Sequence, residues 1–234
     1  MYETTTYNDP IVLKSSIRSR WEFMETSSAA AVLRAVCPTE WSDISDFLES
    51  YALNPTLWLR PGGNRGAIAQ EIDNFFASRG WRETRVDLQT QGILLNKSGR
   101  EMQRLPVMAQ EGYLVDNFKG RVAIDVEWNA KDGNLDRDLS AYRAWHEAGV
   151  ISAAVLITQD RLSLKALADE LWNDYQEGFP PDQRNPKLPI DLGTSTTTNL
   201  EKAALRVRRG VMGTCPLLVI AASRATWNLQ PYLP

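Results

Sequence analysis

The chain has a single histidine, His146, and only two cysteines, Cys37 and Cys215, among its 234 residues. One histidine rules out a His-rich metal site and argues against a Ser-His-Asp arrangement. The two cysteines stand in apolar surroundings and read as buried thiols of a reducing cytoplasm, not as a disulfide framework. No run approaches the roughly 18 apolar residues of a membrane span. The start, Met-Tyr-Glu-Thr-Thr-Thr, lacks the basic and apolar regions of a signal peptide. Location is therefore expected to be cytoplasmic, without a membrane. A Gly-Lys-Ser/Thr phosphate loop is missing, as are internal repeats and linker-like stretches. Nor is there a large excess of one charge: the formal net charge is −3 and the pI about 5.4. That argues against indiscriminate coating of nucleic acid, but not against a localised basic groove.

What is present is a core. Hydrophobic residues make up 43% of the chain and there are eight Trp, enough for one sizeable domain. Helical spacing predicts helices over Glu22–Val36, Trp41–Ala52, Ala67–Arg79, Asn134–Glu147, Leu162–Tyr175 and Asn199–Arg209. Strands are expected over Arg85–Leu95, Arg104–Val115, Val150–Thr158 and Pro216–Ala222, with a turn at Asn96–Gly99. The last two strands are continuously apolar, the mark of burial on both faces. Strand and helix alternate through the C-terminal half, which predicts an α/β domain with a central mixed sheet flanked by helices. Residues 1–60 form a helical N-terminal part and 61–222 the core. His146 and most of the Trp residues read as structural.

The stretch Gly112–Asn129 carries most of the chemistry. From Arg121 to Trp128 it alternates, with Val122, Ile124, Val126 and Trp128 on one side and Arg121, Ala123, Asp125 and Glu127 on the other. This period of two predicts a half-buried strand. Upstream, Asn117-Phe-Lys-Gly-Arg121 looks like a hairpin turn. With Gly120-Arg121 at its centre, Asp116 lies directly opposite Asp125. With Lys119-Gly120 at its centre, Asp116 faces Ala123 instead. In the first register Asp116, Asp125 and Glu127 form a cluster of three acids. Like charges so placed repel, and hard oxygen ligands at this spacing suit a divalent ion such as Mg²⁺. Acid pairs on strands are also common as inert solvated groups.

Asp116, eight intervening residues and Asp125-Val-Glu127, followed by a helix, resemble the PD-(D/E)XK nuclease core. The similarity is to BglII-like and BstYI-like type II restriction endonucleases, and more distantly to BamHI. It extends to Pro61-Gly-Gly-Asn64 with its helix, to Asn129-Ala-Lys131, and to Ser195-Thr-Thr-Thr-Asn199 before a basic helix, covering roughly residues 62–222.

The resemblance implies a restriction-endonuclease-like fold and Mg²⁺-dependent hydrolysis of double-stranded DNA at a short palindromic site by a homodimer, with a cognate methyltransferase in the host. It makes Asp116, Asp125 and the Val126 carbonyl metal ligands, with Glu71 adding a ligand for a second ion. Glu127 stands where many such nucleases have lysine; it would act as a base or hold a water. Asn64, Arg65, Lys119, Asn129, Lys131, Ser195, Thr196, Thr197, Asn199 and Arg206 are the expected DNA contacts. Each also has a plainer reading: Pro61–Gly66 as a turn, Thr198 or Asn199 as a helix cap, and Arg206, Arg208 and Arg209 as a solvated helix end. Two other functions remain open at this point, a non-catalytic DNA-binding or structural module of the same fold and a hydrolase of small phosphoesters. The dimer surface is expected from Trp41–Tyr51 and Asn134–Glu147.

Overall fold

The two continuously apolar runs lie side by side in a computed structural model, which describes residues 3–60, 66–128, 133–190, 192 and 197–233. Asn64, Arg65, Asn129, Lys131, Ser195 and Thr196 lie outside the described residues. In chain order the elements are β1 (Glu3–Thr4), α1 (Ser15–Arg18), β2 (Trp21–Thr26), α2 (Ala29–Val36), α3 (Pro38–Ser50), α4 (Pro55–Trp58) and α5 (Ala67–Ala77). There follow β3 (Arg82–Arg85), β4 (Leu88–Thr90), β5 (Ile93–Leu95), β6 (Glu101–Arg104), β7 (Met108–Gln110), β8 (Leu114–Lys119) and β9 (Val122–Val126). The chain closes with α6 (Gly133–Glu147), β10 (Ala153–Gln159), α7 (Arg161–Glu177), α8 (Leu200–Arg208) and β11 (Leu217–Ala222), with short 3-10 turns between.

Seven strands form the central sheet in the order β1-β2-β11-β10-β9-β8-β3. β9, β10 and β11 are parallel, with Val155 beside Ile124 on one side and Leu218 on the other. Every residue of these three strands is buried, as expected where helices cover both faces. The margins are antiparallel: β2 and β1 on one side, β8 and β3 on the other. One apolar cluster joins α1 to α5 and α7 to one face of the sheet. A second joins α6 and α8 to the opposite face. The expected mixed α/β architecture is thus observed.

Three expectations need correction. The helix expected over Glu22–Val36 is half strand: Trp21–Thr26 pairs with β11 over six residues, and helix begins only at Ala29. Ser27 and Ser28 turn the chain between them with φ of 51° and 56°, and Oε2 of Glu25 accepts the Ala30 N–H at 2.8 Å. Ladder pairing of the Trp21-Glu-Phe-Met segment with β11 outweighs its local helical spacing. So the first 60 residues are not simply helical; they supply two strands to the sheet.

The strand carrying Asp125 is buried on both sides, not half-buried, because α6 lies over its polar face. The long strands expected over 85–95 and 104–115 are broken. β3, β4 and β5 pair in turn with β8, β7 and β6, so residues 82–119 make one long hairpin whose outer two sections leave the sheet as separate two-stranded ribbons. The apolar stripes of α3 (Trp41, Ile44, Phe47, Leu48) and α6 (Leu135, Leu139, Tyr142, Trp145) are buried in this chain's own core.

Both cysteines are free and buried. His146 lies beside the Ile151 carbonyl at 3.3 Å, in keeping with a structural role. Among the described residues no helix is long and apolar enough to cross a membrane.

Candidate active site

The β8–β9 turn decides the register left open by the sequence. Asn117 pairs with Ile124, Phe118 with Ala123 and Lys119 with Val122, which centres the turn on Gly120-Arg121. Gly120 takes φ +54°, a conformation that glycine adopts without a Cβ clash. Carried one step further, the register sets Asp116 opposite Asp125. The two are joined by backbone: Oδ1 of Asp125 accepts the Asp116 N–H, and Oδ2 of Asp116 accepts the Val126 N–H, each at 2.9 Å.

Asp125 and Glu127 are each only 6% exposed. The Glu127 N–H donates to Ile157 O on β10 at 2.9 Å, and its carbonyl accepts the Thr158 hydroxyl at 2.8 Å. Gln159 donates its side-chain amide to Trp128 O at 2.6 Å. The end of β9 is therefore held by β10, and rigid backbone fixes where the carboxylates point.

Helix α6 adds two residues that sequence reasoning missed. Tyr142 donates its hydroxyl to Oδ2 of Asp125. Asp138, 3% exposed, is a hydrogen-bond partner of Glu127. It pairs through Oδ1 with Arg137 at 2.8 Å, while its Oδ2 has no other donor. Both could have been found. Asp138 and Tyr142 flank the apolar Leu135-Leu139 stripe at a spacing of four, which puts them on the face of α6 turned to the sheet.

Burial is the first cause of the site's electrostatics. It raises the Asp125 carboxyl well above the usual range, and the charges of Asp116 and Asp138 push further in the same direction. Glu127 is pushed up to about 8 by burial, then by Asp138, Asp125 and Asp116. Asp138 is raised by burial against the opposing pull of Arg137. Four acids share one pocket of low dielectric with one guanidinium at its rim. Among the described residues, no group of three or more His, Cys, Asp or Glu side chains is set out to hold a metal ion. The carboxylates are instead turned onto internal donors. The chemistry of the donor set nevertheless fits a hard divalent cation: buried carboxylate oxygens that repel one another when ionised.

Other expected residues are elsewhere. Glu71 is half-buried against Tyr51, and its charge is not among those acting on Asp125 or Glu127. Lys119 donates to Asp43 and to the Arg79 carbonyl at 2.7 and 2.9 Å. Asn199 is the cap of α8, its side chain accepting the Lys202 N–H at 3.0 Å; it is 2% exposed and turned inward. Arg206 pairs with Asp136 at 2.9 Å. Thr197 is half-buried. Its neighbour Thr198 reaches Oε2 of Glu127 at 3.4 Å, so the segment before α8 does border the acids.

A mixed sheet with helices on both faces and an acid cluster at a strand end gives this chain a restriction-endonuclease-like fold. Residues 21–222 match a protein-family model, and the class that it defines is the type II restriction endonucleases, hydrolases that cleave DNA at specific sequences. The family is Restriction endonuclease BglII/BglIII, and the chain belongs to it. No curated protein matches the chain.

Proposed function

We propose that this single-domain cytoplasmic protein cleaves double-stranded DNA at a short palindromic site, as a homodimer, with Mg²⁺ held by Asp116, Asp125 and the Val126 carbonyl. The observation that carries the reading is the hairpin register, which sets Asp116 opposite Asp125 with Glu127 one pleat further along. In the other register Asp116 would face Ala123, which weakens the cluster's geometry without destroying it.

A bound Mg²⁺ would screen the charge that grows on the phosphate and acidify a water. Asp116 and Asp125, on adjacent strands, would hold the cation. Tyr142 and the Asp116 N–H fix the Asp125 carboxylate. Glu127 accepts the proton of the attacking water, and Asp138, hydrogen-bonded to it, keeps its carboxyl at the strand end. Water oxygen bonds to phosphorus as the P–O bond to the leaving nucleoside oxygen breaks. Glu71 has no part in this scheme. Thr197, Asn129, Lys131 and the Asn64-Arg65 and Ser195-Thr196 segments are proposed as DNA contacts; Lys119, Asn199 and Arg206 are not, because their side chains are engaged within the protein.

Digestion of a DNA of known sequence tests this. Discrete fragments with Mg²⁺ and intact DNA with EDTA are expected, and mapped ends will give the site and cut position. Random degradation, or the same cleavage in EDTA, would refute the proposal.

A further inference from the structure

When ionised, the acid cluster carries more negative charge than one divalent cation balances. Asp116, Asp125, Glu127 and Asp138 are four carboxylates within reach of one another's charge. The phosphate that must approach them is negative as well, and the charge on its oxygens has to be held by cations in the transition state. A cation on the substrate side of the cluster is therefore needed, and the structure places one beside it.

Arg137 stands next to Asp138, about one turn into the helix that follows β9. Its Nε and Nη2 both reach Oδ1 of Asp138 at 2.8 Å. Its Cζ lies 5.4 Å from the centre of the Tyr113 ring, within the range of a cation–π contact. Tyr113 immediately precedes β8, the strand of Asp116. The guanidinium is thus fixed from two sides. Burial pulls its value down, but the bond to Asp138 and the charges of Asp138, Glu127 and Asp125 outweigh burial, so the group is raised and stays charged. Among the described residues its Nη1 has no hydrogen-bond partner, and 40% of the side chain is exposed. Two nitrogens of the planar fork are anchored and the third is open, a form in which arginine can take a phosphate oxygen.

We propose that Arg137 is a catalytic residue, its Nη1 donating to a non-bridging oxygen of the scissile phosphate while Asp138 and Tyr113 hold the guanidinium in place. The inference rests on the DNA-cleavage reading above and adds a residue to it. The proton stays on Arg137 throughout, and the bonds that form and break at phosphorus are those already given. Of the expected cations that are described, Lys119 is tied to Asp43 and Arg206 to Asp136, so either would have to give up an ion pair to do this. Arg137 keeps its pair and still has a donor to offer. An arginine that served only to neutralise Asp138 would be best paired fork to fork, across both carboxylate oxygens. Here both nitrogens converge on Oδ1 alone, which leaves Nη1 outside the pair.

The test uses the full chain and a duplex carrying its mapped cleavage site, with the scissile phosphate either native or replaced by an uncharged methylphosphonate. Binding of both duplexes is measured in Ca²⁺ for wild type and Arg137→Met. The preference for native over methylphosphonate DNA should be about tenfold greater in the wild type, since a hydrogen bond to a charged group is at stake. In Mg²⁺, Arg137→Met should cut native DNA about a hundredfold or more slowly. Asp138→Asn removes the charge that a merely structural Arg137 would serve; in that background Arg137→Met should still slow cleavage by about the same factor. This second comparison also decides the matter if Arg137→Met alone does not fold, because neither of its chains leaves Asp138 charged and unpaired. Equal preferences for native DNA in wild type and variant, or a double variant that cuts as fast as Asp138→Asn, would overturn the role of Arg137 and leave the cleavage reading standing. A wild type that cuts no DNA would overturn that reading, and this inference with it.

Discussion

Tyr142 donates its hydroxyl to Asp125 across the gap between α6 and β9. Four residues earlier on the helix Asp138 meets Glu127, two residues later on the strand. Four helical residues rise about 6 Å and two strand residues about 6.6 Å, so the two pairs match in step. Helix α6 is thereby a template that fixes the acids from the side opposite the sheet backbone. Tyr142→Phe removes the donor and nothing else. It should lower the melting temperature by the equivalent of about 1–3 kcal/mol, since the donor serves a buried carboxyl, and slow cleavage at least about tenfold while DNA binding holds. Wild-type stability and rate together would show that the contact is incidental.

Asp116→Asn or Asp125→Asn should reduce cleavage by at least about a hundredfold with DNA binding retained. Neutralising either acid removes a cation ligand and also removes repulsion toward phosphate. Gel shift in Ca²⁺ alongside plasmid cleavage in Mg²⁺ separates the two effects. Near wild-type cleavage by either variant would break the site assignment.

The parts of this site that could be read from sequence were those governed by short-range rules. Alternation from Arg121 to Trp128 placed Asp125 and Glu127 on one face, and a glycine at the turn gave the register as one of two options. The structure chooses between them through β8–β9 pairing. The contribution of α6 was less visible, because Asp138 and Tyr142 look like any polar and aromatic helix residues until the crossover brings α6 over β9. The strand at Trp21–Thr26 was hidden for a similar reason: its partner, β11, lies about 190 residues away. Lys119, Asn199 and Arg206 have internal partners, which residue type alone does not reveal.

Glu127→Ala should be strongly impaired, by about a hundredfold or more, if the carboxylate takes a proton. Glu127→Lys should keep part of the activity, since lysine at this position is compatible with the same strand geometry. Asp138→Ala should resemble Glu127→Ala, whereas Asp138→Asn, which can still hydrogen-bond Glu127, should retain more. Rates in Mg²⁺ for the four variants check the ordering. Full activity of Glu127→Ala would reduce this carboxylate to a structural group.

Without a cation, the acid cluster should make stability fall as pH rises. Glu127 sits at about 8 in the folded chain against an ordinary value of 4.5, and Asp125 and Asp138 are raised as well. A raised folded-state value means that the folded chain holds more protons than the unfolded chain between those limits. The contribution is fully present below the unfolded value and is lost as pH climbs through the folded one. In EDTA the melting temperature should therefore drop between about pH 5 and about pH 8, where surface carboxylates, already ionised, contribute little change. Mg²⁺ or Ca²⁺ binds the deprotonated cluster, so its stabilising effect should grow over the same window. Asp125→Asn should flatten both trends while leaving the fold intact. A melting temperature in EDTA that rises or stays level across this range, with no added effect of divalent cation at the upper end, would show that the four acids do not form the cation site.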